Sequence, residues 1–415
     1  MPSPSTGVLL TLAAAAATAS ASAQNATTKP LSTRMIESAI SRQHGVVSSG
    51  ASTSTLESGI LALSTQAWLE LYGSSPSPPD QVADFVSYVD EIIASVSAAP
   101  AFSNATAAAL LPLDRLSIAQ AVLNLEEAPG ADGELTAAEA LTLDTLNSSL
   151  ALQRRNQFGG LFYYVYPYWS YLDGAVSFLP YMAEPSSAYS AADMLLQITL
   201  LYEKCFQEST GLVVHGYDAS KTAVWANNAT GASPYVWGRS LGWYLAGLVN
   251  AWEVLTGDGG DCVDSGAGAE DGCADLLAAI QHQATTLTTN LVQYADEETG
   301  VWWQLPTFPG REGNFLESSS TVLYIFSILK GLRLGLLEDD QPLADVALRA
   351  YDYTASEFVV DYGNGTLGWN GTVIVCSLNS TATYEYYTGR PIVFDAPLGE
   401  AAFVWASLEV ERLGA

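Results

Sequence analysis

The sequence predicts an all-α protein with the architecture of an (α/α)6 toroid, in which six helical hairpins close into an inner and an outer ring. Twelve segments repeat apolar residues three or four positions apart, which is the spacing of one helix face. Short turn clusters separate these segments, for example at residues 73–79, 129–133 and 306–310. A straight bundle or an open solenoid would use the same elements, although the lack of a fixed-period repeat weakens the solenoid.

The segment at residues 236–255 illustrates the helical pattern. Leu241, Leu245 and Leu248 fall on one face, and Ser233-Pro234 provide a start signal upstream. Strand-like pieces such as residues 299–304 are expected only in loops. The predicted helices span residues 33–44, 55–72, 79–97, 116–125, 137–154, 172–183, 190–208, 236–255, 274–295, 318–337, 342–362 and 399–413.

An apolar N-terminal segment indicates a secretory signal peptide. Residues 8–17 are almost all apolar, and small residues follow as far as Ala23. We expect cleavage after Ala23 (residues 1–23) and one domain over residues 24–415, because no Pro/Gly/Ser linker divides them. Later apolar runs are too short to span a bilayer, so we expect no membrane partner. The signal peptide predicts an extracellular protein, and we expect a monomer. Asn-x-Ser/Thr sequons, which fit a glycosylated eukaryotic protein, start at Asn25, Asn104, Asn147, Asn228, Asn364, Asn370 and Asn379.

The composition limits the possible partners. The net charge of -29, with only 15 Lys and Arg residues, argues against binding nucleic acid. An anionic substrate would need a local basic pocket, so an Arg beside aromatic residues becomes a candidate ligand. Cys262 and Cys273 bracket an acidic, glycine-rich loop and are expected to form a local disulfide. Cys205 and Cys376 could pair with each other or remain free.

The stretch from Trp237 to Trp243 is a candidate ligand site at the start of a helix. Arg239 and Trp243 are four residues apart and share a helix face. A guanidinium group can bind a carboxylate with two hydrogen bonds, and an indole offers a flat face to a sugar ring. The helix N-terminus also favours an anion, so this stretch fits an acidic sugar. Core tryptophans and a surface Arg would give the same pattern.

Two aspartates are candidates for acid–base chemistry. Residues 158–174 are dense in aromatic side chains and contain one carboxylate, Asp173. A carboxyl group beside apolar rings loses hydration, which favours its protonated form and allows it to donate a proton. Asp114 precedes another apolar helix and could meet Asp173 across a pocket. Either Asp could instead cap the helix that follows it.

His215 is the histidine best placed for a site, because it lies on a turn between segments that carry aromatic residues. His44 and His282 lie in polar helical stretches and are expected at the surface. Three dispersed histidines without a Cys/His cluster argue against a transition-metal site. The chain also contains no P-loop. We therefore expect neither a metal nor a cofactor.

These stretches together resemble the unsaturated glucuronyl and rhamnogalacturonyl hydrolases of glycoside hydrolase family 105, with family 88 as a relative. The resemblance runs from about Leu113 to the C-terminus and indicates a secreted fungal member. Its motifs are Leu113-Asp-Arg-Leu-Ser-Ile-Ala119, Tyr166-Pro167 with Tyr171-Leu-Asp-Gly174, Thr210-Gly-Leu-Val-Val-His-Gly-Tyr-Asp-Ala-Ser-Lys221, Val236-Trp-Gly-Arg-Ser-Leu-Gly-Trp-Tyr244, Asn314-Phe-Leu-Glu-Ser-Ser319, Lys330-Gly-Leu-Arg-Leu-Gly335 and Tyr386-Tyr-Thr-Gly-Arg-Pro391.

The resemblance implies an (α/α)6 toroid that removes a 4,5-unsaturated uronic acid from oligosaccharides left by polysaccharide lyases. Such enzymes protonate C4 and add water at C5, which gives a hemiketal that releases the sugar. By position, Asp173 corresponds to the general acid/base and Asp114 to its companion carboxylate. The positions that correspond to substrate contacts are His215, Trp237, Arg239 and Trp243.

Two departures from the family pattern concern the pocket. Tyr163 and Tyr164 stand where many members have a His, often followed by Lys, and we assign both tyrosines to substrate binding. Trp169-Ser-Tyr171 replaces a common Gln-Met-Trp. The sugar beside the uronic acid, rhamnose or another, therefore stays open. Two other functions also stay open, namely an inverting exo-glycosidase for saturated sugars and a non-catalytic sugar-binding protein.

Overall fold

The computed structural model describes residues 29–74, 78–127, 134–164, 167–185, 187, 189–257, 262, 272–338 and 343–414. The predicted signal peptide and the sequon at Asn25 lie outside these residues. In the described ranges, the helices are α1 (Leu31–Ser41), α2 (Ser54–Tyr72), α3 (Pro79–Ser97), α4 (Ala105–Ala108), α5 (Leu116–Glu127), α6 (Ala137–Ala151), α7 (Ala175–Ala183), α8 (Ala191–Cys205), α9 (Gly238–Thr256), α10 (Cys273–Leu291), α11 (Ser318–Arg333), α12 (Leu343–Glu357), α13 (Tyr384–Thr388) and α14 (Pro397–Leu413).

Six of these helices form a closed inner ring. Around the ring, α2 packs against α5, α5 against α7, α7 against α9 and α9 against α11; α11 then packs against α14, which returns to α2. The helices α1, α3, α6, α8, α10 and α12 pack outside this ring. The predicted (α/α)6 toroid is therefore confirmed, with each inner helix paired with an outer one.

Burial distinguishes the inner helices from the outer ones. Every residue of α11 from Ser318 to Gly331 is buried, whereas α12 buries residues on one face only. Glycines let α9 approach both of its neighbours in the ring. A Cβ atom on Gly242 would lie 2.8 Å from the Leu323 side chain of α11, and one on Gly247 would lie 2.5 Å from the Ala175 carbonyl oxygen of α7. A larger residue at either position would push the ring apart.

All twelve predicted helices are present, with ends displaced by no more than five residues. Periodicity missed the short helices α4 and α13, which have too few turns to show a repeat. As expected, residues 299–304 lie in a loop, where an isolated bridge joins Trp303 to Leu316. The described strands form antiparallel pairs in other loops: β1 (Ser170–Tyr171) with β4 (Gly216–Tyr217), β2 (Phe206–Gln207) with β3 (Leu212–Val213), β5 (Val359–Asp361) with β6 (Leu367–Trp369), and β7 (Thr372–Val373) with β8 (Ile392–Val393).

The predicted disulfide between Cys262 and Cys273 is present, and Cys205 and Cys376 are buried and free. His282 is exposed as expected. His44 is partly exposed, with 21% of its side chain accessible, and its Nδ1 atom lies 2.7 Å from a carboxylate oxygen of Glu400, which is fully buried. Within the described ranges, no helix combines the length and the apolar character needed to cross a membrane.

The two faces of the toroid have different cavities. Residues at the ends of α2, α9, α11 and α14 line a cavity of about 590 Å³ on one face. Its basic side chains are already paired: Lys330 lies 2.6 Å from Glu253, and Arg333 lies 2.8 Å from Glu409. The positive charges of Lys330 and Arg333 in the last turn of α11 also interact favourably with the helix dipole. The basic residues of this cavity therefore stabilise the fold. The starts of α2, α9 and α14 meet around a pocket on the other face.

Candidate active site

The pocket on the second face is small and mostly aromatic. Its volume is about 20 Å³, which is enough for roughly one water molecule. A sugar ring is larger, so side chains at the mouth must move before one can bind. The lining comes from the starts of three inner helices and from two loops, and consists of Thr53, Leu56, Tyr163, Tyr164, Tyr171, Asp173, Trp237, Arg239, Trp243, Val375, Cys376 and Leu398.

The pairing of β1 with β4 brings Asp173 to His215. Ser170 pairs with Tyr217 and Tyr171 with Gly216, and the amide of Leu172 then donates to the carbonyl of His215 over 3.1 Å. Gly216 is required at this crossing, because a Cβ there would lie 2.4 Å from the carbonyl oxygen of Ser170. The backbone register therefore fixes the position of both side chains.

Asp173 is held at one carboxylate oxygen and free at the other. Ser240 in the first turn of α9 donates to Oδ2 over 2.8 Å, and Nε2 of His215 lies 3.3 Å from the same oxygen. Among the described residues, none donates a hydrogen bond to Oδ1. The alternative that Asp173 caps the next helix does not hold, because Gly174 is the N-cap of α7, which begins at Ala175 without a side-chain cap. Its free oxygen belongs to a pocket-lining residue.

His215 is completely buried between Asp173 and Tyr387. Its Nδ1 atom lies 2.8 Å from the hydroxyl of Tyr387. Burial raises the pKa of Tyr387 well above its usual range, so that phenol stays neutral and can donate to Nδ1. With Tyr387 as the donor, a neutral ring carries its proton on Nε2, which lies 3.3 Å from Oδ2 of Asp173 and makes no hydrogen bond within the described ranges.

Asp114 lies behind the pocket wall, in a 3-10 helix over Leu113–Arg115. Tyr163 donates to its Oδ2 over 2.7 Å, and Oδ1 is buried without a partner in the described part of the chain. Burial is the main reason that the pKa of Asp114 rises to about 7; Asp173 also raises it, while the Tyr163 hydrogen bond and Arg115 lower it. Asp114 therefore holds its proton in mildly acidic solution, and it does not cap α5.

Arg239 is the cation of the pocket, and it is only 2% exposed. Its Nη1 atom donates to the carbonyl of Val373 over 2.6 Å and to the hydroxyl of Ser319 over 3.2 Å. Its guanidinium carbon lies 4.9 Å from the centre of the Trp237 ring. Trp237 separates this group from His215, whose ring centre is 4.6 Å away. The indole of Trp237 therefore lies between the guanidinium group of Arg239 and the imidazole of His215.

The structure brings the eight predicted site residues together, but not all of them line the pocket. Asp114 and His215 lie one layer behind it and act through Tyr163 and Asp173. Trp237 and Trp243 are each 1% exposed, so neither presents a free face to a sugar in this closed pocket. The predicted residues in the lining are Tyr163, Tyr164, Asp173, Trp237, Arg239 and Trp243.

Several contacts at the site were missed from the sequence. Ser240, Glu317 and Tyr387 each lie inside a motif that the resemblance identified, but nothing local indicates that they face Asp173, Arg239 or His215. Trp169 is close in sequence yet packs edge-on against Trp225, 5.0 Å between ring centres, and does not line the pocket. Within the described ranges, no group of three or more His, Cys, Asp or Glu residues is arranged to hold a metal.

Comparison with known proteins gives consistent similarities. Residues 84–414 match the sequence profile of Glycosyl Hydrolase Family 88. Over 213 residues the chain is 30% identical to a 24.9 kDa protein in the picA locus of Rhizobium radiobacter. This match covers 49% of this chain and 83% of that protein. The fold is similar to that of a family 105 glycoside hydrolase of C. acetobutylicum, with a TM-score of 0.76, 22% identity and coverage of 92% and 100% of the two chains.

A second solved structure is more distant. The unsaturated glucuronyl hydrolase from Bacillus sp. GL1, which is named as responsible for degrading glycosaminoglycan, has a TM-score of 0.60 at 12% identity. The similarity covers 92% of this chain and 95% of that one. Both structures support the toroidal fold, and the profile match confirms the family resemblance that the motifs predicted.

Proposed function

The chain belongs to Glycosyl Hydrolase Family 88, and on that basis we propose that it removes a 4,5-unsaturated uronic acid from the non-reducing end of oligosaccharides. The substrates would be products of polysaccharide lyases, of the pectin or rhamnogalacturonan type. The observation that supports this most directly is Asp173, a pocket carboxylate with Oδ2 held by Ser240 and Oδ1 free. One positioned acid is what hydration of an enol ether requires.

In the proposed reaction, Asp173 first donates a proton to C4 of the C4=C5 double bond. Positive charge develops at C5 and the ring oxygen, and water attacks C5 while the Asp173 carboxylate accepts its proton. The new hemiketal opens by breaking the bond between C5 and the ring oxygen. The hemiacetal left at C1 then releases the next sugar as an alcohol. The acid is regenerated, and one water is consumed.

The residues around Asp173 suit the anionic substrate. Arg239 supplies the positive charge for the uronate carboxylate, which a protein of net charge -29 would otherwise repel. The starts of α2, α9 and α14 also point toward the pocket, and helix N-termini favour anions. His215 packs beside Asp173, with Nε2 3.3 Å from Oδ2, and Asp114 holds the hydroxyl of Tyr163, a residue of the pocket lining.

Secretion is part of the same proposal. The apolar segment at residues 8–17 and the disulfide between Cys262 and Cys273 support it. Sequons at exposed positions in the described ranges also support it, namely Asn104, Asn228, Asn364 and Asn379. Expression in a eukaryotic host, followed by mass measurement before and after endoglycosidase treatment, tests it; a protein retained in the cell without glycans would contradict it.

The activity is tested by following the ultraviolet absorbance of the conjugated C4=C5 bond. Lyase-generated oligosaccharides from rhamnogalacturonan and from other glucuronate-containing glycans are incubated with the purified protein. Loss of absorbance together with release of a shortened sugar is the expected result, and the fastest substrate identifies the neighbouring sugar. Stable absorbance on all of them, with cleavage of saturated glycosides instead, would favour an inverting exo-glycosidase.

An active-site variant separates catalysis from binding. We expect Asp173→Asn to lose turnover by about a thousandfold or more while still binding the oligosaccharide, because the amide keeps the shape but cannot donate the proton. Asp84→Asn, at an exposed position of α3, is the matched control and should retain full activity. Binding by both wild type and the Asp173→Asn variant, with turnover by neither, would identify a sugar-binding protein.

A further inference from the structure

Glu317 is a fully buried carboxylate at the start of α11, and it is bonded through both oxygens. Oε1 accepts from the hydroxyl of Ser319 over 2.7 Å and from the amide of Val373 over 3.0 Å. Oε2 accepts from the amide and the hydroxyl of Ser320, over 2.7 and 2.6 Å. The Ser320 contacts cap the helix, whereas the Oε1 contacts lead away from it.

The Oε1 contacts of Glu317 lead to Arg239. Nη1 of Arg239 is 3.9 Å from Oε1, and the two side chains hold the same two residues. Glu317 binds the amide of Val373 while Arg239 binds its carbonyl, 2.6 Å from Nη1. The hydroxyl of Ser319 donates to Glu317 and accepts from Arg239 over 3.2 Å. The Glu317 carboxylate therefore holds both groups that accept hydrogen bonds from Nη1 of Arg239, namely the Ser319 hydroxyl and the Val373 carbonyl.

This arrangement determines the direction of the guanidinium group. A guanidinium is planar, so anchoring Nη1 sets the plane in which its other N–H groups point. Among the described residues, none accepts a hydrogen bond from Nη2 or Nε of Arg239, and Arg239 lines the pocket. The anchored edge faces Glu317, and the free edge remains for a ligand.

We propose that Glu317 is a positioning residue for Arg239, and that it makes the pocket selective for a carboxylate over its uncharged ester. Glu317 does this by holding Ser319 and Val373 in place, and it has no contact with the substrate. The inference rests on the proposed function, since it takes the C6 carboxylate of the unsaturated uronic acid as the partner of Arg239. It predicts that disturbing Glu317 changes which substrate is preferred.

The experiment compares an unsaturated disaccharide carrying a free C6 carboxylate with its C6 methyl ester, which cannot form the paired contact with Arg239. In the Glu317→Gln variant the single amide oxygen cannot serve both sets of donors. We expect kcat/KM on the free acid to fall by roughly 10- to 100-fold, mainly through KM, while kcat/KM on the ester changes by less than about threefold. A defect in folding or in helix capping would lower kcat/KM on both substrates by the same factor.

Three further variants complete the design. Ser319→Ala keeps the Ser320 cap and removes the hydroxyl shared by Glu317 and Arg239. It should therefore lower the acid-to-ester ratio, which is kcat/KM on the free acid divided by kcat/KM on the ester, by a smaller factor than Glu317→Gln does. In an Arg239→Gln background, Glu317→Gln should leave that ratio unchanged. Glu409→Gln is the matched control, because it breaks a buried carboxylate–guanidinium pair on the opposite face and should leave the ratio at the wild-type value.

The outcomes separate this inference from the proposed function. A wild-type protein that acts on neither substrate overturns the proposed function, and the inference fails with it. A wild type that prefers the acid, together with a Glu317→Gln variant whose acid-to-ester ratio is unchanged or higher, overturns only the role of Glu317. Equal activity of the wild type on acid and ester overturns the carboxylate contact of Arg239. If the Glu317→Gln variant fails to fold, an unchanged ratio in Ser319→Ala overturns the inference.

Discussion

Tyr163 donates a hydrogen bond of 2.7 Å to Oδ2 of Asp114, and Oδ1 of the same carboxyl is buried without a partner in the described ranges. A buried oxygen that lacks a donor stabilises the neutral carboxylic acid over the carboxylate. This agrees with a pKa near 7 for Asp114, which burial raises most. The pair therefore controls whether a second charge lies beside Asp173.

The Tyr163→Phe variant tests this control. The hydrogen bond from Tyr163 lowers the pKa of Asp114, so its removal should raise that pKa further above about 7. We expect the carbonyl band of the protonated acid in infrared difference spectra to persist to higher pH than in the wild type. The Asp114→Asn variant identifies the band. A midpoint that stays in place or moves to lower pH would show that Tyr163 does not act on Asp114.

The raised pKa of Asp114 also predicts how stability depends on pH. Its folded-state pKa is about 7, and its ordinary value is 3.8, so the folded protein binds the additional proton between these limits. The contribution of Asp114 to stability is therefore largest in acid and is lost as pH rises toward 7. We expect the Tm difference between Asp114→Asn and wild type to become more favourable to the variant over this range.

The exposed control Asp84→Asn should show no such trend, because its carboxylate is hydrated in both states. Thermal unfolding in a series of buffers gives the comparison. A constant offset between Asp114→Asn and wild type from acid to neutral pH would mean that Asp114 titrates normally in the folded protein.

The sequence was sufficient to predict the ring of helices, because each helix repeats apolar residues over several turns. Aromatic density and rare charges also led to the prediction of Asp173, His215 and Arg239 as site residues, and the structure places them in or beside one pocket. The partners of these residues were not predictable in the same way. Ser240 and Tyr387 reach Asp173 and His215 from distant parts of the chain, and only the β1–β4 register and the closed ring bring them there. The small size of the pocket, to which Tyr164 and Thr53 contribute side chains, is equally a tertiary property.

Ser240→Ala tests the positioning of Asp173. The hydroxyl donates to Oδ2 over 2.8 Å. In the proposed reaction it also holds the carboxylate that forms after proton transfer, and a hydrogen bond to a charged group contributes roughly 1.5–3 kcal/mol. We expect kcat to fall about tenfold or more with little change in KM, because the carboxyl loses its orientation and the substrate contacts remain. Ser327→Ala on α11 is the matched control, since within the described ranges that buried hydroxyl bonds only to the carbonyl of Leu323 in its own helix. Equal losses in both variants would point to a packing effect.

Tyr387→Phe tests the orientation of His215. The phenol is 2.8 Å from Nδ1, and without it Nδ1 loses its only side-chain partner in the described part of the chain. We expect the ring to redistribute its proton between the two nitrogens, with a fall in kcat. Nitrogen-15 NMR can follow this directly because the chain has only 3 histidines. The exposed His282 should keep its signals, and an unchanged His215 signal would contradict the assigned tautomer.

The disulfide between Cys262 and Cys273 predicts a stability effect that is separate from catalysis. The cysteines are 11 residues apart, and closing a loop of this length in the unfolded chain is worth about 3 kcal/mol in the entropic account. Cys273 is the first residue of α10, an outer helix that packs on α8 and α9 and contributes no residue to the pocket. A Cys262→Ala/Cys273→Ala variant should therefore unfold at lower denaturant concentration while kcat/KM stays within about twofold of wild type.

Reduction of the disulfide provides the control. Reduction of the wild type should give the same shift in the unfolding midpoint, and the same treatment of the variant should give none. A loss of activity that matches the loss of stability would mean that the start of α10 supports the inner ring more directly than its position indicates.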